Sequence, residues 1–352
     1  MATNQAAWFH SKGGPFTVAE APMPRPTGDE IIIRTHALAL NPADVAVWRT
    51  TLFTTSWPAT IGCDVAGIVT AVGDSATKFN VGDRVLAVAN WSAAARGNKG
   101  SGQLYCAASE GLAARVPEGV GFTEGCVLPL AVCTAASCLF QTGNLGLGLP
   151  GVDGAAEGAG ARILLVWGGS SSVGSCGIQM ARAAGLEVAT VCGRMLECSR
   201  NFEYCKNLGA AYVFDYTSST VMEDIVDQLK GKTLAGVFAA VISGDAIAKS
   251  AEIAHRLDGN KHVATVLPPM ASSQVPGGLP EDVTISFCWS THIKDDEVGP
   301  AIFGWITEAL AKGVLRCKPD PEVVGRGLGA VQQAMERMER GVSATKLVVE
   351  IP

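Results

Sequence analysis

The chain has 352 residues, 48% hydrophobic and 17% charged, with 41 glycines and a formal net charge of −6. That length holds two domains with separate cores, and an acidic balance without any Lys/Arg block argues against nucleic acid or a membrane surface as partner. Eleven scattered cysteines, an odd number, point to free thiols in a reducing compartment and to a cytoplasmic location. The opening MATNQAAWFHSKGG has neither the basic nor the apolar region of a secretory signal, and no uninterrupted apolar run is expected to span a membrane.

Residues 1–130 read as short strands and turns: Glu30–Thr35, Gly67–Val72 and Arg84–Val88 lie between Pro, Gly and Asp clusters, which predicts a β-rich, distorted-barrel domain. After Pro129 the pattern changes. Apolar runs at Arg162–Trp167, Glu187–Cys192, Ala211–Phe214, Gly236–Ser243, Lys261–Leu267 and Thr284–Trp289 alternate with helical stretches. This predicts an α/β domain over 131–294 with a doubly wound parallel sheet. The nearly uncharged segment Gly143–Gly160 reads as a flexible surface loop. The tail, 295–352, is predicted to hold helices at Ala301–Ala311 and Gly329–Arg340 and a last strand, Lys346–Ile351.

The strongest chemical signal is Ile163–Gly185, ILLVWGGSSSVGSCGIQMARAAG. An apolar strand enters a glycine-rich turn that opens a helix, the arrangement that presents backbone N–H groups to a dinucleotide pyrophosphate. Gly169 and Gly174 allow close backbone approach, while Val173, Gly177, Met180, Ala181 and Ala184 share one helical face. The next strand ends in Val191-Cys192-Gly193-Arg194, with no acidic residue before Glu197. A carboxylate there would hold the 2′-hydroxyl of NADH, whereas Arg194 suits the 2′-phosphate, so the expected cofactor is NADPH.

Ala39–Asp44 (ALNPAD), Gly62–Gly67 (GCDVAG), Val81–Val85 (VGDRV), Leu128–Ala135 (LPLAVCTA), Leu164–Gly174, Ser199–Tyr216 and Gly341–Val349 (GVSATKLVV) run through most of the chain. In these stretches it resembles the zinc-independent, quinone-oxidoreductase-like branch of the medium-chain dehydrogenase/reductase superfamily, and most of all the trans-acting enoyl reductases of fungal polyketide biosynthesis. The resemblance implies a GroES-like catalytic domain, 1–130 with 295–352, and a Rossmann cofactor domain, 131–294. It implies that Asn41, Pro42, Ala43, Asp44, Val45 and Thr134 line the nicotinamide end, and that Ser171, Ser172, Val173 and Gly174 hold the pyrophosphate. Gly193, Arg194, Ser199 and Asn201 would meet the adenosine ribose and its phosphate, Tyr216 the adenine, and Leu267, Lys346 and Leu347 the nicotinamide side. Asn41 and Thr134 are the catalytic candidates; Asp44 either joins the site or buttresses the turn after Pro42. Ala46 stands where the family often has Lys, and Phe238–Val241 lacks the family's usual Asp.

Zinc-dependent members of the superfamily bind the metal through Cys, His-Glu and a second Cys. The corresponding positions here are Asn41, Cys63-Asp64 and Leu130, so no metal is expected. Cys133 and Cys138 read as small core residues. Hydride delivery to an activated C=C needs orientation and carbonyl polarisation rather than a nucleophile, which fits five dispersed histidines. Tyr105 and Trp48 are candidates for the acyl pocket. The expected activity is NADPH-dependent reduction of an enoyl or other α,β-unsaturated carbonyl. The substrate would be a small molecule or a carrier-protein-bound polyketide-type intermediate, with a polyketide synthase as candidate partner, and the chain a monomer or homodimer. A quinone or small-enone reductase, a non-redox isomerase or cyclase, and a binding protein retaining the fold are the alternatives.

Overall fold

The computed structural model describes residues 3–50, 57–90, 100–153, 162–193 and 200–352. The chain forms two compact units, Met1–Leu130 with Cys317–Pro352, and Ala131–Arg316.

In the first unit the strand Glu30–Ala39 is the pivot. It pairs antiparallel with Asp64–Val72, which pairs with Arg84–Ala89, then Tyr105–Arg115. The last of these returns to the pivot, Glu30 opposite Ser109 and Arg34 opposite Tyr105, so the sheet closes on itself. Alternate residues point inward, as a period of two requires: Ile31, Ile33, Val65, Val69, Val85 and Ala87 share one core. The other end of the pivot, Ala37–Ala39, pairs with the C-terminal strand Lys346–Glu350. Around that end Leu38, Leu40, Val47, Trp48, Met335, Leu347 and Val349 form a second core. It joins the helices Pro42–Arg49 and Val331–Glu339.

The second unit is built on a six-stranded parallel sheet among the described residues. Across it the order is Thr284–Phe287, His262–Thr265, Thr233–Ala239, Arg162–Trp167, Glu187–Cys192, Tyr212–Asp215. Counted along the chain this is the reverse of 3-2-1-4-5-6, the doubly wound dinucleotide fold, with its switch between the first and fourth strands.

Two expectations need correction. The return to the first unit comes at Cys317 rather than 295. The helix Val298–Ala311 buries Ile302, Phe303, Ile306 and Ala309, and its Trp305 Nε1 donates to the Gly151 carbonyl at 3.0 Å. Arg316 N–H donates to Gln179 Oε1 at 2.8 Å, holding this stretch on the second unit. Within the glycine-rich insertion, Asn144, Leu145 and Leu147 are buried, so its first residues pack against the unit, while Gly148, Leu149, Gly151 and Asp153 stay exposed as a surface loop would; 154–160 lie outside the described residues. One segment, Phe122–Phe140, has the length and hydropathy of a membrane span. It is mostly buried and consists of two helices, Phe122–Gly125 and Pro129–Phe140. The thiols of Cys133 and Cys138 lie against the Ser290 and Thr265 carbonyls, as in a core helix. The ten described cysteines are free, and all but Cys317 are buried.

Candidate functional site

In the first unit the site residues gather where the pivot strand ends. Asn41 caps the helix Pro42–Arg49, and an N-cap asparagine ordinarily turns its side chain onto that helix. Here the helix start is held differently. Asp44 Oδ2 accepts the Asn41 N–H at 2.8 Å, and Asp44 Oδ1 accepts the Gly62 N–H at 3.0 Å. The Asn41 amide is thereby released for other partners. Its Nδ2 donates to Asp64 Oδ2 at 2.8 Å, and its Oδ1 accepts from Lys346 Nζ at 2.6 Å. Lys346 Nζ lies 2.8 Å from Asp64 Oδ2, with the two side chains 2% and 0% exposed. Asp64 Oδ1 accepts the Leu130 N–H at 2.6 Å. Burial, and next the Asp64 charge among the raising influences, push the Asp44 carboxyl up to about 7 against the pull of the Asn41 and Gly62 N–H groups and Lys346.

Asp44 is wholly buried and buttresses the turn through these hydrogen bonds. Pro42, Ala43 and Val45 lie on the more open side of the same helix. Lys346 is committed to Asn41 and Asp64, and the Leu347 side chain to the core, its carbonyl accepting the Leu40 N–H. Trp48, expected near an acyl pocket, is a core residue whose Nε1 donates to the Gly14 carbonyl at 2.7 Å. Tyr105 is half-buried. Asp64 was not singled out as a site residue; its place in the same GCDVAG stretch as Cys63 was the available signal.

In the second unit the strand Arg162–Trp167 runs into the turn that starts the helix Ser172–Ala183. Ser171 caps that helix, its Oγ accepting the Gly174 N–H at 3.0 Å. The Ser172 and Val173 N–H groups belong to the first turn, which has no carbonyl of its own helix to meet. A Cβ on Gly174 would lie 2.2 Å from the Gly168 carbonyl oxygen, and one on Gly169 would lie 2.0 Å from Thr190 Oγ1. Gly169 is fixed by its packing against the neighbouring strand and the helix, and Gly174 by the backbone of the turn itself. At the end of the next strand the Gly193 carbonyl accepts from Asn201 Nδ2 at 2.9 Å. The Tyr216 ring lies over Gly193, where a Cβ would come within 2.7 Å of it, and Tyr216 is 52% exposed. Arg194 and Ser199 lie outside the described residues.

The other half of this sheet contributes Leu267, which is buried. Its N–H donates to Thr265 Oγ1 and its carbonyl accepts the Cys288 N–H. Thr134 stands nearby through its carbonyl, which faces Cys288 Sγ at 3.8 Å. Trp289 and His292, their rings tilted at 42° with centroids 5.4 Å apart, follow the last strand at the same carboxyl edge. In a doubly wound sheet that edge is the ligand face; sequence reasoning had set His292 aside with the other histidines.

A closed barrel in one unit and a doubly wound dinucleotide sheet in the other, the second inserted in sequence between two stretches of the first, are the two-domain plan of a dehydrogenase. The chain matches the alcohol dehydrogenase GroES-like domain over residues 27–140 and the zinc-binding dehydrogenase family over 172–276. It is 37% identical over its whole length, and that of the relative, to the dehydrogenase azaJ of Aspergillus niger. It is 35% identical to the trans-enoyl reductase himH of Aspergillus japonicus, with 99% of this chain and 97% of the relative covered. A mycobacterial protein solved in complex with NADPH superposes with a TM-score of 0.71 at 22% identity, covering 99% of this chain and 100% of that one. The chain belongs to the medium-chain dehydrogenase/reductase superfamily of oxidoreductases, in the group that holds these fungal enzymes.

The zinc in one family's name does not fit the residues here. Leu130 offers no donor atom, the Asn41 amide oxygen already holds an ammonium, and that ammonium would repel a dication. Among the described residues no three His, Cys, Asp or Glu side chains come together.

Proposed function

We propose that this protein is an NADPH-dependent, zinc-independent reductase of an activated C=C. Its substrate class is a polyketide-type enoyl or other α,β-unsaturated carbonyl, free or carrier-bound. The observation that carries the reading is the Lys346–Asn41–Asp64 network. A buried ammonium takes up the polar side chains at the positions where zinc-dependent relatives bind their metal. That leaves a site suited to polarising a carbonyl by hydrogen bonding and unsuited to binding an alkoxide on a metal. The trans-enoyl reductase relative supports the same substrate class.

Ser172, Val173 and Gly174 would hold the pyrophosphate at the helix start, Gly193, Arg194, Ser199, Asn201 and Tyr216 the adenosine end, and Leu267 and Thr134 the nicotinamide end. When bound, the reduced nicotinamide supplies the hydride. The chain's own residues orient the acceptor, exclude water and hold its carbonyl oxygen.

The test is fluorescence titration with NADPH and NADH, followed by NADPH consumption with enoyl thioesters. Micromolar NADPH binding weakened by Arg194→Ala, with substrate-dependent consumption, is the expected result. Product formed without nucleotide consumption would move the protein to isomerase or cyclase chemistry, and failure of both nucleotides to bind would end the redox reading.

A further inference from the structure

The reductase reading leaves open what holds the acceptor carbonyl, and the buried network supplies an answer that rests on that reading. An isolated asparagine amide can sit in either of two orientations, oxygen and nitrogen exchanged. Here the choice is forced. Lys346 Nζ carries only donors and meets one end of the Asn41 amide at 2.6 Å; Asp64 Oδ2, an acceptor, meets the other at 2.8 Å. The ammonium and the carboxylate also contact each other at 2.8 Å, so neither is an uncompensated buried charge. The backbone fixes the remaining freedom. Asp64 is tied to the Leu130 N–H, and the Asn41 N–H is tied to Asp44. The amide nitrogen has two hydrogens, and Asp64 takes one; no acceptor among the described residues takes the second.

We propose that Lys346 and Asp64 are positioning residues that lock the Asn41 amide so that its second Nδ2–H is the donor to the substrate's carbonyl oxygen. As hydride reaches the β-carbon, the C=C electron pair shifts toward the carbonyl and negative charge grows on that oxygen. A proton then reaches the α-carbon from water. A preset N–H, with a fixed ammonium on the far side of the same amide, stabilises the developing charge without reorganisation. Asn41 is the residue in contact with substrate; Lys346 and Asp64 act through it.

The test compares the wild type with Lys346→Met and with the double variant Lys346→Met/Asp64→Asn. The single variant leaves a carboxylate buried without its partner and can lose folded protein. The double variant is neutral and keeps an acceptor for the Leu130 N–H, so its melting curve and NADPH affinity are expected to stay close to wild type. Its kcat is expected to fall on the order of tenfold or more, with KM changed by less than about threefold. A double variant that retains wild-type kcat makes the network purely structural and overturns the role. A loss that appears in the NADPH dissociation constant instead places the donor on the cofactor carboxamide and likewise overturns it.

A second readout needs no substrate. In isotope-labelled protein the Asn41 Nδ2 hydrogen held by Asp64 should exchange slowly in the wild type and quickly in the double variant. Equal exchange in both overturns the lock itself. Protected exchange in a wild type that reduces no enoyl thioester keeps the lock but removes both the reductase reading and the catalytic role.

Discussion

Two glycine-to-alanine substitutions in helices of the same unit should move stability in opposite directions. Gly304 lies in the middle of the helix Val298–Ala311, is exposed, and a Cβ there meets nothing within 4 Å. Gly304→Ala should therefore gain the ordinary helix preference of alanine over glycine, about 0.5–1 kcal/mol. Gly174 begins with the same intrinsic gain, but its Cβ would stand 2.2 Å from the Gly168 carbonyl oxygen and 2.8 Å from the Gly169 Cα. Both obstacles are backbone, so no rotamer change relieves them, and the turn must move by about 1 Å to restore ordinary contact distances. Overpacking of this kind costs about 1–3 kcal/mol, which offsets the helix gain and leaves Gly174→Ala destabilised by up to about 2 kcal/mol. The displaced turn is the one that offers the Ser172 and Val173 amides, so NADPH affinity should fall about tenfold or more. Urea unfolding followed by circular dichroism, with NADPH titration in parallel, reads both effects. A Gly174→Ala protein that is more stable than wild type and binds NADPH equally well would refute the close-packing argument.

Ser171→Ala removes the acceptor for the Gly174 N–H and should cost about 1 kcal/mol in urea unfolding, with a weaker grip on NADPH. Gln179→Leu orphans the Arg316 N–H that Gln179 Oε1 accepts at 2.8 Å; a loss of about 1–3 kcal/mol is expected, together with faster hydrogen exchange around residue 316. Asp44 carries a raised pKa of about 7 because burial opposes its charge, so its contribution to stability is full below the ordinary carboxylate range and is lost as pH rises through about 7. The urea midpoint should fall between roughly pH 4 and 7 in the wild type, and Asp44→Asn should flatten that slope; an unchanged slope would mean that another group titrates there.

What could be read from the sequence was local. The strand, glycine turn and helix at 162–183 follow from a few consecutive residues, and the neighbouring strands fall within a few residues of the runs that announced them. What could not be read depends on pairs far apart. Nothing between 295 and 316 marks the helix Val298–Ala311 as part of the second unit. The contacts that assign it, Trp305 with Gly151 and Arg316 with Gln179, join positions 154 and 137 residues apart. The insertion looked like a loop because glycine dominates its composition. Gly236, where a Cβ would fall 2.6 Å from a Leu145 methyl, is what makes room for its leucine. Trp48 was misplaced for a similar reason, since its partner carbonyl is 34 residues earlier.

The resemblance places Lys346 at the site, but its burial and its partners could not be read from the residues around it. In Thr345-Lys346-Leu347-Val348 a lysine reads as the outward residue of an edge strand, and a lone ammonium is among the least favourable groups to bury. Burial becomes tolerable only because the last strand lies beside the pivot strand, Val348 opposite Ala39, which brings Lys346 to Asn41 across 305 residues of sequence. Two carboxylates and one ammonium would still leave an excess negative charge in a dry setting. The upward shift of Asp44 relieves it, because at neutral pH this carboxyl is partly protonated while Asp64 faces the ammonium. A dication added to that set would reverse the balance and confront Lys346 directly. The same charges that hold the C-terminal strand in place thus disfavour a metal, and they leave the Asn41 amide as the polar group with a hydrogen to offer.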